Sequence, residues 1–86
     1  MSKKSSRMGK FEVYPDLVYS ESFPDILAAM RFVPLRVEFL AYKDVFEYVG
    51  TSPLFEELEL GCVVNEYRMI METDGVRITE VSAEKI

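Results

Sequence analysis

The chain has no histidine, no tryptophan and a single cysteine, Cys62. Without an imidazole it lacks the commonest general base and the commonest metal ligand. One thiol closes no intrachain disulfide and builds no cysteine zinc site, and it fits a reducing compartment better than a secreted one. With no histidine as base and Val63 and Val64 following it, Cys62 reads as a buried structural residue rather than a nucleophile. The longest strictly apolar run covers only residues 26–30, far short of the roughly 18–20 residues of a membrane-spanning helix. The basic N-terminus leads into no hydrophobic stretch, so no signal peptide is read there. Gly9, Gly50, Gly61 and Gly75 are too scattered to cradle a phosphate, and no P-loop, dinucleotide fingerprint, Gly-x-Ser-x-Gly or His-Glu-x-x-His motif occurs. These absences predict a cytoplasmic protein that is not an enzyme and takes no cofactor and no metal.

What is present is enough to fold. Of 86 residues, 49% are apolar and 13% aromatic, which fits one small domain with a core. A domain of this size buries only about 60–65% of the surface of its unfolded chain. With neither disulfide nor metal its stability is modest, which favours work in an oligomer or a hetero-complex.

Charge is unevenly placed. Residues 1–10 hold Lys3, Lys4, Arg7 and Lys10 and no acid, a balance of +4. The other six Lys and Arg stand against all 15 Asp and Glu, a balance of −9. The leader reads as a disordered basic segment, and its four cations are the candidate nucleic-acid arm. The acidic body opposes duplex DNA on its main surface.

Along the body, residues 11–82 read as one α+β domain, followed by a polar tail at 83–86. Residues 11–19 are rich in β-formers but interrupted by Pro15, which suggests an edge strand or a bent extended arm. Ser22-Phe23-Pro24-Asp25 looks like a helix start with Ser22 as N-cap. Phe23, Ile26, Leu27, Met30 and Val33 then follow helical spacing, which predicts a helix over 23–32. A hairpin follows over 35–42 and 45–49. A two-residue turn at Lys43-Asp44 would set Ala41 opposite Phe46, although Lys-Asp is not a favoured pair and a longer turn is open. Ser52-Pro53 predicts a short second helix over 53–60, with a strand over 57–64 as the alternative. A second hairpin turns at Asp74-Gly75, which pairs Glu72 with Arg77 and Met71 with Ile78. Glu72-Thr73-Asp74-Gly75 lacks the spacing of a calcium loop and reads as the turn alone. The expected fold is a four- to five-stranded antiparallel sheet of two hairpins with the main helix on one face.

Two surfaces stand out. The acids Glu56, Glu57 and Glu59, with Glu66 nearby, form a candidate acidic partner patch. On the sheet face away from the helix, Leu40, Tyr42, Val49, Ile70 and Val81, with Val45, form a candidate apolar partner surface. Tyr14, Tyr19, Tyr42, Tyr48 and Tyr67 offer rings for stacking single-stranded bases, but few cations interleave with them and most read as core. The first expectation is therefore a small non-catalytic protein-interaction module, binding another protein or itself. The second is an acidic inhibitor that mimics nucleic acid. In size, in acidity and in setting a helix before antiparallel strands, the chain resembles as a class the small phage inhibitors of host DNA enzymes, such as the uracil-DNA glycosylase inhibitor. That resemblance implies a basic, nucleic-acid-handling partner. The third is weak single-strand binding through the leader.

Overall fold

A computed structural model of the chain describes residues 5–59, 61, 63–75 and 78–86. The fold is α+β: a five-stranded, mostly antiparallel sheet with one main and one short helix. The strands are β1 (Ser5–Ser6), β2 (Met8–Val13), β3 (Val33–Leu40), β4 (Val45–Thr51), β5 (Leu58–Glu59), β6 (Asn65–Thr73) and β7 (Ile78–Lys85). The helices are α1 (Pro15–Val18) and α2 (Phe23–Met30). The large sheet has the order β3-β4-β2-β6-β7, and β1 pairs with β5 in a separate two-stranded ribbon.

β2 is the centre of the sheet, antiparallel to β4 and parallel to β6, and not the edge expected from Pro15. Gly9, Phe11 and Val13 are buried on one side, while Lys10 and Glu12 are half-buried on the other, the two-residue period of a pleated strand. Pro15 ends the strand by opening α1, where its fixed φ suits a first helical position and its missing N–H is no loss. Of the leader expected to lack structure, Ser5–Ser6 and Met8–Lys10 lie in strands, and residues 1–4 are outside the described residues.

α2 buries Phe23, Ile26 and Met30, the face its helical spacing predicts. Ser22 occupies the N-cap, but its hydroxyl makes no capping bond. The helix ends two residues before the expected limit, because Arg31 turns left-handed (φ 52°, ψ 41°) and the Phe32 N–H reaches back to the Leu27 carbonyl. That is a Schellman-type close with arginine where glycine is usual.

Both hairpins form, each in a shifted register. The first closes at Leu40 opposite Val45 through residues 41–44, with Asp44 left-handed at φ 54°. Phe39 therefore pairs with Phe46 and Val37 with Tyr48, two residues from the two-residue-turn register, so residues 36–40 and 45–49 keep their expected faces, while Ala41 and Tyr42 leave the strand for the loop. The second hairpin pairs Met71 with Val81, Glu72 with Glu80 and Thr73 with Ile78. Met71 was expected opposite Ile78, so the shift is odd and Val81 lies on the inner face, packed against the core. A bulge at Thr79 adds one residue, which lets Ile78 and Val81 face the same side.

Among the described residues of the expected 53–60 helix, 53–59, no helix forms; the short helix of the fold is α1. Ser52 caps a single turn, accepting the Leu54 N–H on its hydroxyl at 3.1 Å and the Phe55 N–H on its carbonyl at 3.1 Å. The next groups are taken by tertiary partners. Arg7 donates to the Phe55 carbonyl at 2.9 Å, and the Glu56 N–H donates to the Tyr67 hydroxyl at 2.8 Å. Leu58 and Glu59 then pair with β1.

The core is aromatic. Phe11 stacks on Tyr48 with centroids 5.4 Å apart, and Phe55 stacks on Tyr67 at 4.5 Å. Phe32 meets Phe11 and Phe55 edge-on at 5.0 and 6.3 Å. These rings lie over Gly9 and Gly50, paired on β2 and β4. A Cβ on Gly9 would come within 2.7 Å of the Tyr67 ring, and one on Gly50 would strike the Val33 carbonyl. The pair is glycine because the rings occupy the side-chain space.

Candidate functional site

The outer face of the sheet, away from α2, is charged rather than apolar. Register sets Glu38, Glu47 and Glu12 side by side across β3, β4 and β2, and Glu72 opposite Glu80 across β6 and β7. Like charges directly opposite destabilise a sheet. Two exposed ion pairs soften the first row: Arg36 with Glu47 at 3.0 Å and Lys43 with Glu12 at 2.9 Å. The hydrogen bond to Glu12, then its charge, raises the Lys43 pKa above its ordinary value.

This geometry divides the surfaces read from sequence. Val49 lies on the outer face between Lys10 and Arg36, Ile70 lies opposite Ser82, and Leu40 beside Val45. Tyr42 stands in the 41–44 loop, 80% exposed, with Lys43 over its ring at 6.0 Å. The apolar residues are thus dispersed among charges, and Val81 is on the opposite face. The acids divide as well. Glu56 pairs with Lys85 at 3.0 Å and, with Glu57, lies in the exposed segment ahead of β5, which holds Glu59. Glu66 lies on the outer face of β6 beside Lys10. Among the arm residues, Arg7 is fixed on Phe55 and Lys10 lies within the sheet, while Lys3 and Lys4, like Cys62, are outside the described residues.

Two features suit binding. The first is a cleft of about 520 Å³ where β2 and β6 part, since their ladder holds only Gly9 to Asn65 and Lys10 to Glu66. Its apolar lining includes Val13, Leu17, Tyr67, Met69 and Met71, and its polar lining Glu12, Glu66 and Arg68. Glu12 is already paired with Lys43. Among the described residues, the one buried side-chain polar atom without a partner is Ser6 Oγ, which does not line this cleft. No group of three metal-ligating residues occurs among the described residues either.

The second is the edge strand β3. Val33, Leu35, Val37 and Phe39 are 56%, 60%, 47% and 47% exposed. Val37 and Phe39 are on the inner face, opposite Tyr48 and Phe46, yet the helices pack nearer the middle and far side of the sheet and leave this end open. Phe39 lies 5.0 Å from Phe46, which in turn meets the exposed Tyr19 at 6.1 Å. β4 satisfies one side of β3, and the other side leaves a row of backbone donors and acceptors facing water. The alternation of 35–42 sets Val37 and Phe39 on one apolar face of the hairpin, whose exposure it does not show. The signals that they stand at an edge are Pro34 and the charges Arg36 and Glu38 in alternate positions.

No helix among the described residues is long and apolar enough to cross a membrane. No protein-family model matches the chain, and no curated protein or solved structure matches it either.

Proposed function

We propose that the chain is a small non-catalytic protein-interaction module that docks its partner along the free edge of β3. The observation that carries this reading is the coincidence, on one strand, of unpaired backbone groups and four large apolar side chains about half exposed. An added strand would bond to that edge and cover Val37 and Phe39, the arrangement of strand addition. The test is recovery of partners by tagged wild-type chain and by Val37→Lys under native conditions. A stoichiometric companion, either another protein or an untagged copy of this one, that Val37→Lys loses supports the reading. Equal recovery by both removes it.

A second reading, the acidic mimic of nucleic acid, is favoured by the Glu38-Glu47-Glu12 row, which holds carboxylates side by side against their repulsion. It calls for salt-sensitive binding to a basic nucleic-acid-handling enzyme. Changing all three to Gln should abolish that binding. A complex indifferent to both salt and these changes would exclude it.

A further inference from the structure

We infer that the partner at the β3 edge is a second copy of this chain, joined antiparallel about a two-fold axis through Val37, so that two five-stranded sheets become one. The inference rests on the edge-docking reading and adds the identity of the partner and the register. A two-fold axis that pairs identical strands antiparallel stands perpendicular to the sheet, so it preserves faces and must pass through a residue position. Three central positions are available. Centred on Arg36, the register sets Arg36 against the partner's Arg36. Centred on Glu38, it sets Glu38 against the partner's Glu38. Both place like charges directly opposite, which destabilises a sheet.

Centred on Val37, the register sets Arg36 opposite the partner's Glu38, and the symmetric pair repeats the contact. Both residues are on the outer face, alternating with the inner Val37 and Phe39. On the inner side Val37 meets the partner's Val37, and the bulged Leu35 comes opposite Phe39 in sequence register. The sequence Leu35-Arg36-Val37-Glu38-Phe39 is thus complementary to itself when reversed, in charge and in apolar character. Pro34 lacks an N–H and Leu35 is the bulged residue between Pro34 and Arg36, so regular pairing spans only Arg36 to Glu38, three residue pairs. An interface this short is small, and the dimer is a concentration-dependent one.

The test is sedimentation equilibrium of the pure, full-length protein over a range from micromolar to millimolar. The expected result is reversible growth from 9.9 kDa to twice that mass. Glu38→Arg, which sets Arg36 against a new cation, should weaken dimerisation at least about tenfold. Glu38→Arg combined with Arg36→Glu should restore it, because the complementary pairs are rebuilt with their signs exchanged. All these positions are exposed, so folding is checked simply by an unchanged circular dichroism spectrum. A monomer at every concentration overturns the inference, and so does a dimer that Glu38→Arg leaves intact. If the protein is monomeric but Val37→Lys still loses a different protein, edge docking stands and the second copy falls. If no companion is lost either, both fall.

Discussion

At the scale of single residues, the two paired glycines carry more of the fold than their lack of side chain suggests. Gly50→Ala should cost about 3 kcal/mol or more, because the new methyl meets a backbone carbonyl that cannot step aside. Gly9→Ala should cost less, about 1–3 kcal/mol, since the rings of Tyr67 and Phe55 can shift. Urea midpoints of the two variants check the order. Tyr48 gives a pH dependence. Burial, with the neighbouring Tyr19 adding to it, pushes its hydroxyl pKa above the ordinary value. The unfolded chain loses that proton near pH 10 and the folded chain does so higher. The contribution is therefore complete below about pH 10 and declines as pH rises through the folded pKa, by up to about 1.4 kcal/mol per pH unit. Tyr48→Phe should flatten this alkaline decline in urea titrations above about pH 10; an unchanged slope would assign the decline to other groups.

Among the elements, the two hairpins show what could be read from sequence and what could not. Alternation set the faces of 36–40 and 45–49, and a register error of two residues left them correct, while Ala41 and Tyr42 went to the loop. In the second hairpin the strong Asp74-Gly75 turn signal set the pairing three residues out, and the bulge at Thr79 had no local signature. A bulge is set by what its flanks must bury, here Ile78 and Val81, rather than by its own residue. Deleting Thr79 should leave both facing inward, because Thr73–Ile78 and Glu72–Glu80 then become successive pairs of a regular ladder, and should cost less than about 1 kcal/mol. Thermal unfolding would show it, and a loss well above that would mean that the bulge itself is needed for packing. α2 was legible because its apolar spacing and its burial agree. The turn at 53–55 was not, because Arg7 and Tyr67, distant in sequence, take the groups that a helix would use. For the same reason the site was only partly legible. The apolar residues of β3 were visible, but their exposure depends on how far the helices reach.

For the molecule as a whole, the sheet is two blocks joined by a short seam. One block is β3-β4-β2 and the other is β6-β7, and the seam holds two residue pairs, Gly9 with Asn65 and Lys10 with Glu66. The stack of Phe55 on Tyr67 and the bond from Glu56 to the Tyr67 hydroxyl hold the blocks together from the inner side. Native-state hydrogen exchange in low urea should therefore resolve two sets of amides, with β6 and β7 opening before β2 and β4. Tyr67→Phe should lower the opening free energy of the first set by about 1 kcal/mol and leave the second nearly unchanged. A single exchange class in the wild-type protein would argue against separable blocks.

The central position of β2 also has a consequence for biogenesis. β2 leaves the ribosome before any strand that flanks it in the sheet, yet its partners arrive only with residues 46–51 and then 65–66. Until then both of its edges, and Phe11 and Val13 with them, have no native cover. The nascent chain must therefore hold its future centre open while the β3–β4 hairpin is made. A fragment ending at residue 51 would still lack β6, so the order of synthesis lets the β2–β6 seam close only after the β2–β4 join.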